Sequence, residues 1–222
     1  MDKKLIVNAR KPEGELGSKL LEKMNKSHED LALWGVSHLS INDSDIILDI
    51  GCGGGVNVKK FNEMTPNGKV YGLDYSEVSV KKSIHLNESA IKEGKVEIIQ
   101  GSVSKLPFEN NTFNIVTCFE TVYFWSDFVE DLKEVNRVLK PGGIIFICNE
   151  AVGEEYVLEK MKKYIELLDM NIYSEKELGF ALFNAGFTDI ETLRKENTDW
   201  VSAIACKKIH EKHSHITLFM FN

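Results

Sequence analysis

Asp45-Ile46-Ile47-Leu48-Asp49-Ile50-Gly51-Cys52-Gly53-Gly54-Gly55 is the stretch that decides the fold. Its first half is a short, nearly continuous apolar run, which suits a strand covered on both faces, as in a parallel sheet. Its second half is glycine-rich. Glycines there permit positive φ and let a ligand approach the backbone with no Cβ in the way. Strand, glycine turn and the helical pattern that follows at Val56 to Met64 make the first unit of an alternating α/β chain.

Working outward, Lys69 to Asp74 reads as a second strand after the turn signal Pro66-Asn67-Gly68. Val96 to Gln100, Phe113 to Phe119 and Gly143 to Cys148 read as a third, fourth and fifth. Ser76 to Glu93 is one predicted helix with Ser76 as its N-cap. Phe128, Leu132, Val135, Val138 and Leu139 form the stripe of another, capped by Ser126 or Asp127 and ended by Pro141-Gly142-Gly143. Before the sheet, Glu15 to Leu39 reads as one or two helices; after it, Val157 to Met170 and Ser174 to Asn184 read as two more. Thr188 to Leu193 and Trp200 to Cys206 are the last strands, able to pair antiparallel across Asn197-Thr198-Asp199. The β-α-β-α order predicts right-handed crossovers and a doubly wound sheet.

Composition narrows the class. The 222 residues are 43% hydrophobic and 27% charged with net charge -7, ordinary for a globular protein. Lysine pairs such as Lys59-Lys60 and Lys81-Lys82 are scattered among acids, so no nucleic-acid surface is expected. No apolar run approaches a membrane span, and Met1 to Gly14 lacks the apolar region of a signal peptide. Cys52, Cys118, Cys148 and Cys206 form no paired motif and suit free thiols in a reducing cytoplasm.

The ligand class follows from two details. A dinucleotide fingerprint begun at Gly51 needs glycine or alanine at position 56, where Val56 stands. Asp74, at the end of the second strand, is placed to accept hydrogen bonds from ribose hydroxyls, which fits any nucleoside. No Gly-Lys-Ser/Thr closes the loop, so a phosphate is not the favoured ligand.

Ile47 to Gly55 resembles the first motif of class I S-adenosylmethionine-dependent methyltransferases, and Val70-Tyr71-Gly72-Leu73-Asp74-Tyr75-Ser76 their second. Gly101-Ser102-Val103-Ser104-Lys105-Leu106-Pro107-Phe108, Phe113-Asn114-Ile115-Val116 and Arg137-Val138-Leu139-Lys140-Pro141-Gly142-Gly143 are similar to the later motifs, in family order. The nearest subgroup in pattern is the small-molecule one related to ubiquinone and menaquinone biosynthesis. The resemblance implies a Rossmann-like, doubly wound sheet of seven strands, mostly parallel with an antiparallel last strand, plus N-terminal helices. It implies one methyltransferase domain over 1–222, with a helical lid at 1–40, a cofactor-binding core at 41–150, and helices and last strands at 151–222.

For the residues, the resemblance implies that Asp49 holds the glycine loop or the cofactor's amino group, with helix capping as the plainer role. Gly51, Cys52 and Gly53 line the methionine part of S-adenosylmethionine, Asp74 takes the ribose, and Tyr75 packs on adenine or ribose or joins the core. Ser102 stands where the family has an acid facing adenine, so recognition leans on the Val103 N–H. Asn114 replaces a common aspartate at a strand start, where a local structural role is expected. Phe119, Glu120 and Thr121 end the fourth strand, where cofactor and acceptor meet in that family. Glu120, Tyr123 and Trp125 are the candidates for acceptor contact and Glu120, Tyr123 and His28 those for catalysis, although Tyr123-Phe124-Trp125 equally suits packing, and His28 and Trp34 suit either a lid or a helix core.

The expected reaction is in-line methyl transfer to a small-molecule acceptor, by a cytoplasmic monomer or homodimer. A non-catalytic S-adenosylmethionine-binding protein is the alternative, and a nicotinamide-dependent oxidoreductase a more distant one. Cys206 with His210, His213 and His215 matches no closed zinc spacing, so no functional metal site is expected. The apolar run Ile216 to Phe221 suits an added strand, a docking segment or a partner contact.

Overall fold

The first strand, β1 (Ile46–Ile50), is buried along nearly its whole length because it occupies the middle of the sheet. In the computed structural model, which describes residues 6–209, it pairs in parallel with β2 (Lys69–Asp74) on one side and β4 (Phe113–Phe119) on the other. β3 (Val96–Gln100) extends the sheet beyond β2, and β5 (Leu139–Asn149) follows β4, all parallel. β7 (Val201–Lys207) runs antiparallel between β5 and β6 (Phe187–Arg194). The order is β3-β2-β1-β4-β5-β7-β6, seven strands, mostly parallel, with the last one reversed. The switch point lies between β1 and β4, where the C-terminal strand ends diverge and a ligand crevice opens.

Eight α-helices flank the sheet among the described residues: α1 (Gly14–Ser27), α2 (Glu29–Val36), α3 (Val56–Met64), α4 (Glu77–Leu86), α5 (Glu88–Lys92), α6 (Phe128–Val138), α7 (Glu155–Leu168) and α8 (Glu175–Asn184), with a 3-10 turn at Val122–Phe124. α6 buries Phe128, Leu132, Val135 and Val138, the stripe read from the sequence, and Asp127 caps it by accepting from the Glu130 N–H. Ser174 caps α8 in a reciprocal box with Glu177. α2 crosses the ends of β4 and β5 at Gly35, where a Cβ would stand 2.7 Å from Phe119 Cε1 and 2.9 Å from Cys148 Sγ. Only glycine lets that helix lie so close to the sheet.

Two predicted boundaries differ. The single helix expected over Ser76 to Glu93 breaks at Asn87, whose amide donates to the Gly55 and Ser83 carbonyls and so ties the helix pair to the glycine loop. The fifth strand begins at Leu139 rather than after Pro141-Gly142-Gly143. Leu139 pairs with Phe113 and Ile144 with Ile115, so the proline-glycine turn bulges out of a continuous ladder. Asn114 has the structural role expected of it, accepting from the Ile46 N–H at 3.0 Å and Lys140 Nζ at 2.7 Å. All four cysteines are free, three of them buried. No described helix is long and apolar enough to cross a membrane. The histidine-rich and apolar tail readings fall at positions 210–222, outside the described residues.

Arg137 explains why two distant motifs occur together. Its guanidinium donates to the Leu106 and Phe108 carbonyls and to Glu134, which in turn accepts the Leu106 N–H at 2.8 Å. The segment Gly101 to Phe108 is thereby fixed to α6. Arg137→Ala is expected to cost about 1–3 kcal/mol by urea denaturation, since it removes charge-assisted bonds to partly buried carbonyls. Unchanged stability would mean that the loop holds itself.

Candidate active site

The glycine loop is held by its neighbour strand. The Gly51 and Cys52 N–H groups both donate to the Leu73 carbonyl, and the Gly53 N–H donates to Asp74 Oδ2 at 2.9 Å. Gly51, Gly53 and Gly55 all have positive φ. A Cβ at Gly51 would lie 2.3 Å from Thr121 Oγ1, so the loop presses against the segment after β4 at the point where two cavities meet.

On one side of Gly51 is a cavity of ≈ 640 Å³, lined by Asp74, Tyr75, Ser102, Val103, Thr121 and Trp125, among others. On the other is one of ≈ 690 Å³, lined by Asp49, Cys52, Gly53, His28, Phe119 and Glu120 with Lys60 and residues of α1 and α2. Each contains one buried carboxylate. Asp74 is 7% exposed, and burial pushes its carboxyl up against the counter-effect of the Ser76 and Gly53 N–H groups. Asp49 is 2% exposed, and burial, eased by the Thr117 hydroxyl donating at 2.7 Å, pushes it up to about 7.

Tyr75 borders the first cavity but its hydroxyl donates to the Arg10 carbonyl, and burial pushes it up to about 12. Together with the Ser76 hydroxyl, which donates to the Pro12 carbonyl at 2.6 Å, it straps the N-terminal segment over this side. The Ser102 hydroxyl accepts the Ser104 N–H at 3.3 Å. In the second cavity the Cys52 thiol is pushed up by burial and by Asp74 and Asp49, so it stays protonated. Phe119 packs between Phe61 and Phe146 and shows part of its ring to the cavity.

Glu120 adopts φ 55, a conformation rare for a residue with a Cβ and held here by surrounding bonds. Its N–H donates to the Cys148 carbonyl, and its Oε1 accepts the Glu150 N–H and the Tyr123 hydroxyl. Burial, reinforced by Glu150, pushes the Glu120 carboxyl well up. Tyr123 is buried behind Glu120, and its hydroxyl also accepts the Ala151 N–H at 3.1 Å. It lines neither cavity. His28, at the junction of α1 and α2, reaches the second cavity; its Nε2 is 3.8 Å from Glu150 Oε2, and burial pushes its imidazole down. Ligand-capable atoms of His28, Glu120 and Glu150 lie within 4.8 Å of one another. Trp34 packs on Trp200, apart from both cavities. Thr121, expected at this junction, lines the first cavity, and Arg10, Lys60 and Glu150, which the sequence reading missed, also border the site or support it. No motif marks these three, since they arrive from a strap, a helix flank and a strand end.

Residues 48–147 match a family model described as a methyltransferase domain. The chain is a member of this methyltransferase family. A demethylmenaquinone methyltransferase of Lactococcus lactis is 33% identical over 175 residues, 78% of this chain and 66% of its own length. An uncharacterized methyltransferase of Schizosaccharomyces pombe is 36% identical over 116 residues, 50% of this chain and 41% of its own. The chain thus spans about two fifths to two thirds of the length of these relatives. A solved S-adenosylmethionine-dependent methyltransferase from Aquifex aeolicus shares the fold, with TM-score 0.65 at 23% identity over 85% of this chain and 97% of its own. The class I resemblance of the motifs therefore holds at the level of the family.

The buried Asp49 carboxylate yields a linked prediction. Its folded-state pKa lies above the ordinary carboxylate value of about 3.9, so the folded chain binds the extra proton. Stability from that proton is present at low pH and lost as pH rises through about 7. Asp49→Asn, which can still accept from Thr117, is expected to raise the melting temperature at pH 8 and not at pH 4. Thermal melts at the two pH values check this; equal effects at both would contradict it.

Proposed function

We propose that this chain binds S-adenosylmethionine across both cavities and transfers its methyl group to a small-molecule acceptor. The carrying observation is the pair of buried carboxylates, Asp74 and Asp49, one in each of the two cavities that meet at Gly51. Asp74 suits the ribose hydroxyls, Ser102 and Val103 the adenine, and Asp49 with the glycine loop the amino-acid end. The sulfonium of the bound cofactor supplies an electrophilic methyl carbon. The rest falls to the chain: Gly51 and Thr121 would hold the cofactor where the two cavities meet, and Phe119 would exclude water from the second. The demethylmenaquinone methyltransferase relatives support a small-molecule acceptor.

Glu120 and His28 form the acceptor side of the second cavity. Because burial pushes His28 down, its imidazole is neutral near neutral pH and able to take the proton that an N–H, O–H or S–H acceptor releases. Tyr123 positions Glu120 by hydrogen bonding, and Glu150 sits beside both.

Purified protein incubated with methyl-labelled cofactor and panels of amines, thiols, phenols and carbon acids is expected to label one class. No transfer to any class, with the cofactor bound, would support non-catalytic binding instead. With the acceptor in hand, His28→Gln is expected to lower kcat about 100-fold or more while leaving S-adenosylhomocysteine affinity within about twofold. Wild-type kcat should fall as pH drops below the ordinary histidine value of about 6.5, as the base becomes protonated. A kcat flat across pH 5–8 would remove His28 from this role.

A further inference from the structure

Lys60 is a cation without a counter-charge. It lies on α3, one turn past the glycine loop, and its Nζ is buried with no hydrogen-bond partner. No carboxylate among the described residues lies within ion-pair distance of it. A buried, unpaired ammonium is costly, and burial of this kind is kept where a ligand completes the pairing. Helical side chains lean toward their helix N-terminus, which carries Lys60 back over Asn57 toward the glycine loop. Both residues line the second cavity with Asp49.

The N-terminus of α3 faces the same way. Its N-cap, Gly55, provides no side-chain cap, so the first-turn N–H groups and the helix dipole add positive potential beside Lys60. The cavity therefore has a basic end at Lys60 and α3 and an acidic group at Asp49. Glu120, another acid on its wall, already accepts two hydrogen bonds. The ligand chemistry that fits is an α-amino acid, one carboxylate and one ammonium on the same carbon.

We propose that Lys60 binds the carboxylate of the cofactor's amino-acid end, opposite Asp49 on the ammonium, and so selects the intact cofactor over its decarboxylated form. The proposal rests on the cofactor reading above. If Asp74 holds the ribose in the first cavity, the amino-acid end falls beyond Gly51 in the second, where Lys60 is the cation on the wall.

The test is calorimetric titration of wild type, Lys60→Met and Lys60→Arg with three ligands: S-adenosylhomocysteine, its decarboxylated amine S-adenosyl-3-thiopropylamine, and 5′-methylthioadenosine, which lacks both charged groups. Lys60→Met is expected to bind S-adenosylhomocysteine about 10- to 100-fold more weakly, the range of a charge-assisted hydrogen bond. It should bind the other two ligands as wild type does, and Lys60→Arg should retain most of the affinity. Equal weakening toward all three ligands would overturn the proposal in favour of a structural role. Undiminished affinity for S-adenosylhomocysteine in Lys60→Met would overturn it by freeing Lys60 from the cofactor. Wild type failing to bind S-adenosylhomocysteine at all would instead overturn the cofactor reading beneath it.

Discussion

The hydrogen bond from the Gly53 N–H to Asp74 Oδ2 joins the ends of two adjacent parallel strands, and the site is built on it. β1 delivers a glycine turn that cannot hold its own shape, because glycine has the most conformational freedom to lose. β2 delivers a buried carboxylate and the Leu73 carbonyl, which together take three consecutive N–H groups of that turn. The closed turn then aims the N-terminus of α3 into the cleft and brings Gly51 against Thr121. Asn87 holds the far end of the loop through the Gly55 carbonyl. On the proposed reading, a carboxylate that fixes the loop and also holds a ribose would couple the order of the loop to the presence of a nucleoside.

The two halves of the cleft have different characters. The side that holds Asp74 is bounded by a loop anchored through Arg137 and by an N-terminal strap tied at Tyr75 and Ser76. Its polar groups are mostly occupied by one another. The other side holds groups whose electrostatics are unfinished: Asp49 pushed up to about 7, Glu120 beside Glu150, a half-buried His28 and the unpaired Lys60. Groups poised in this way cost stability and persist where a ligand or a reaction uses them.

Much of this was legible in the chain. β4 begins and ends where its apolar run does, because a parallel strand covered on both faces leaves few polar positions to blur the boundary. The glycine loop, Asp49 and Asp74 were legible for a related reason: positive φ and a strand-end acid each leave a residue signature. The break at Asn87 was not, since the helical period continues across it and its cause is a tertiary hydrogen bond. The β5 start was misplaced because Pro141-Gly142-Gly143 signals a turn and cannot show that the ladder continues around it. Glu150 and Lys60 were invisible as site residues, since an acid after a strand and a lysine on a helix are commonplace until the fold places them against a cavity.

The most direct test is calorimetric titration of the purified chain with S-adenosylhomocysteine, using NAD as control, in wild type and Asp74→Ala. Micromolar binding of S-adenosylhomocysteine, no binding of NAD, and a loss of at least tenfold in the folded variant are expected if Asp74 both closes the loop and holds the ribose. A folded wild-type chain that binds NAD instead, or that binds S-adenosylhomocysteine equally well without Asp74, would contradict that claim.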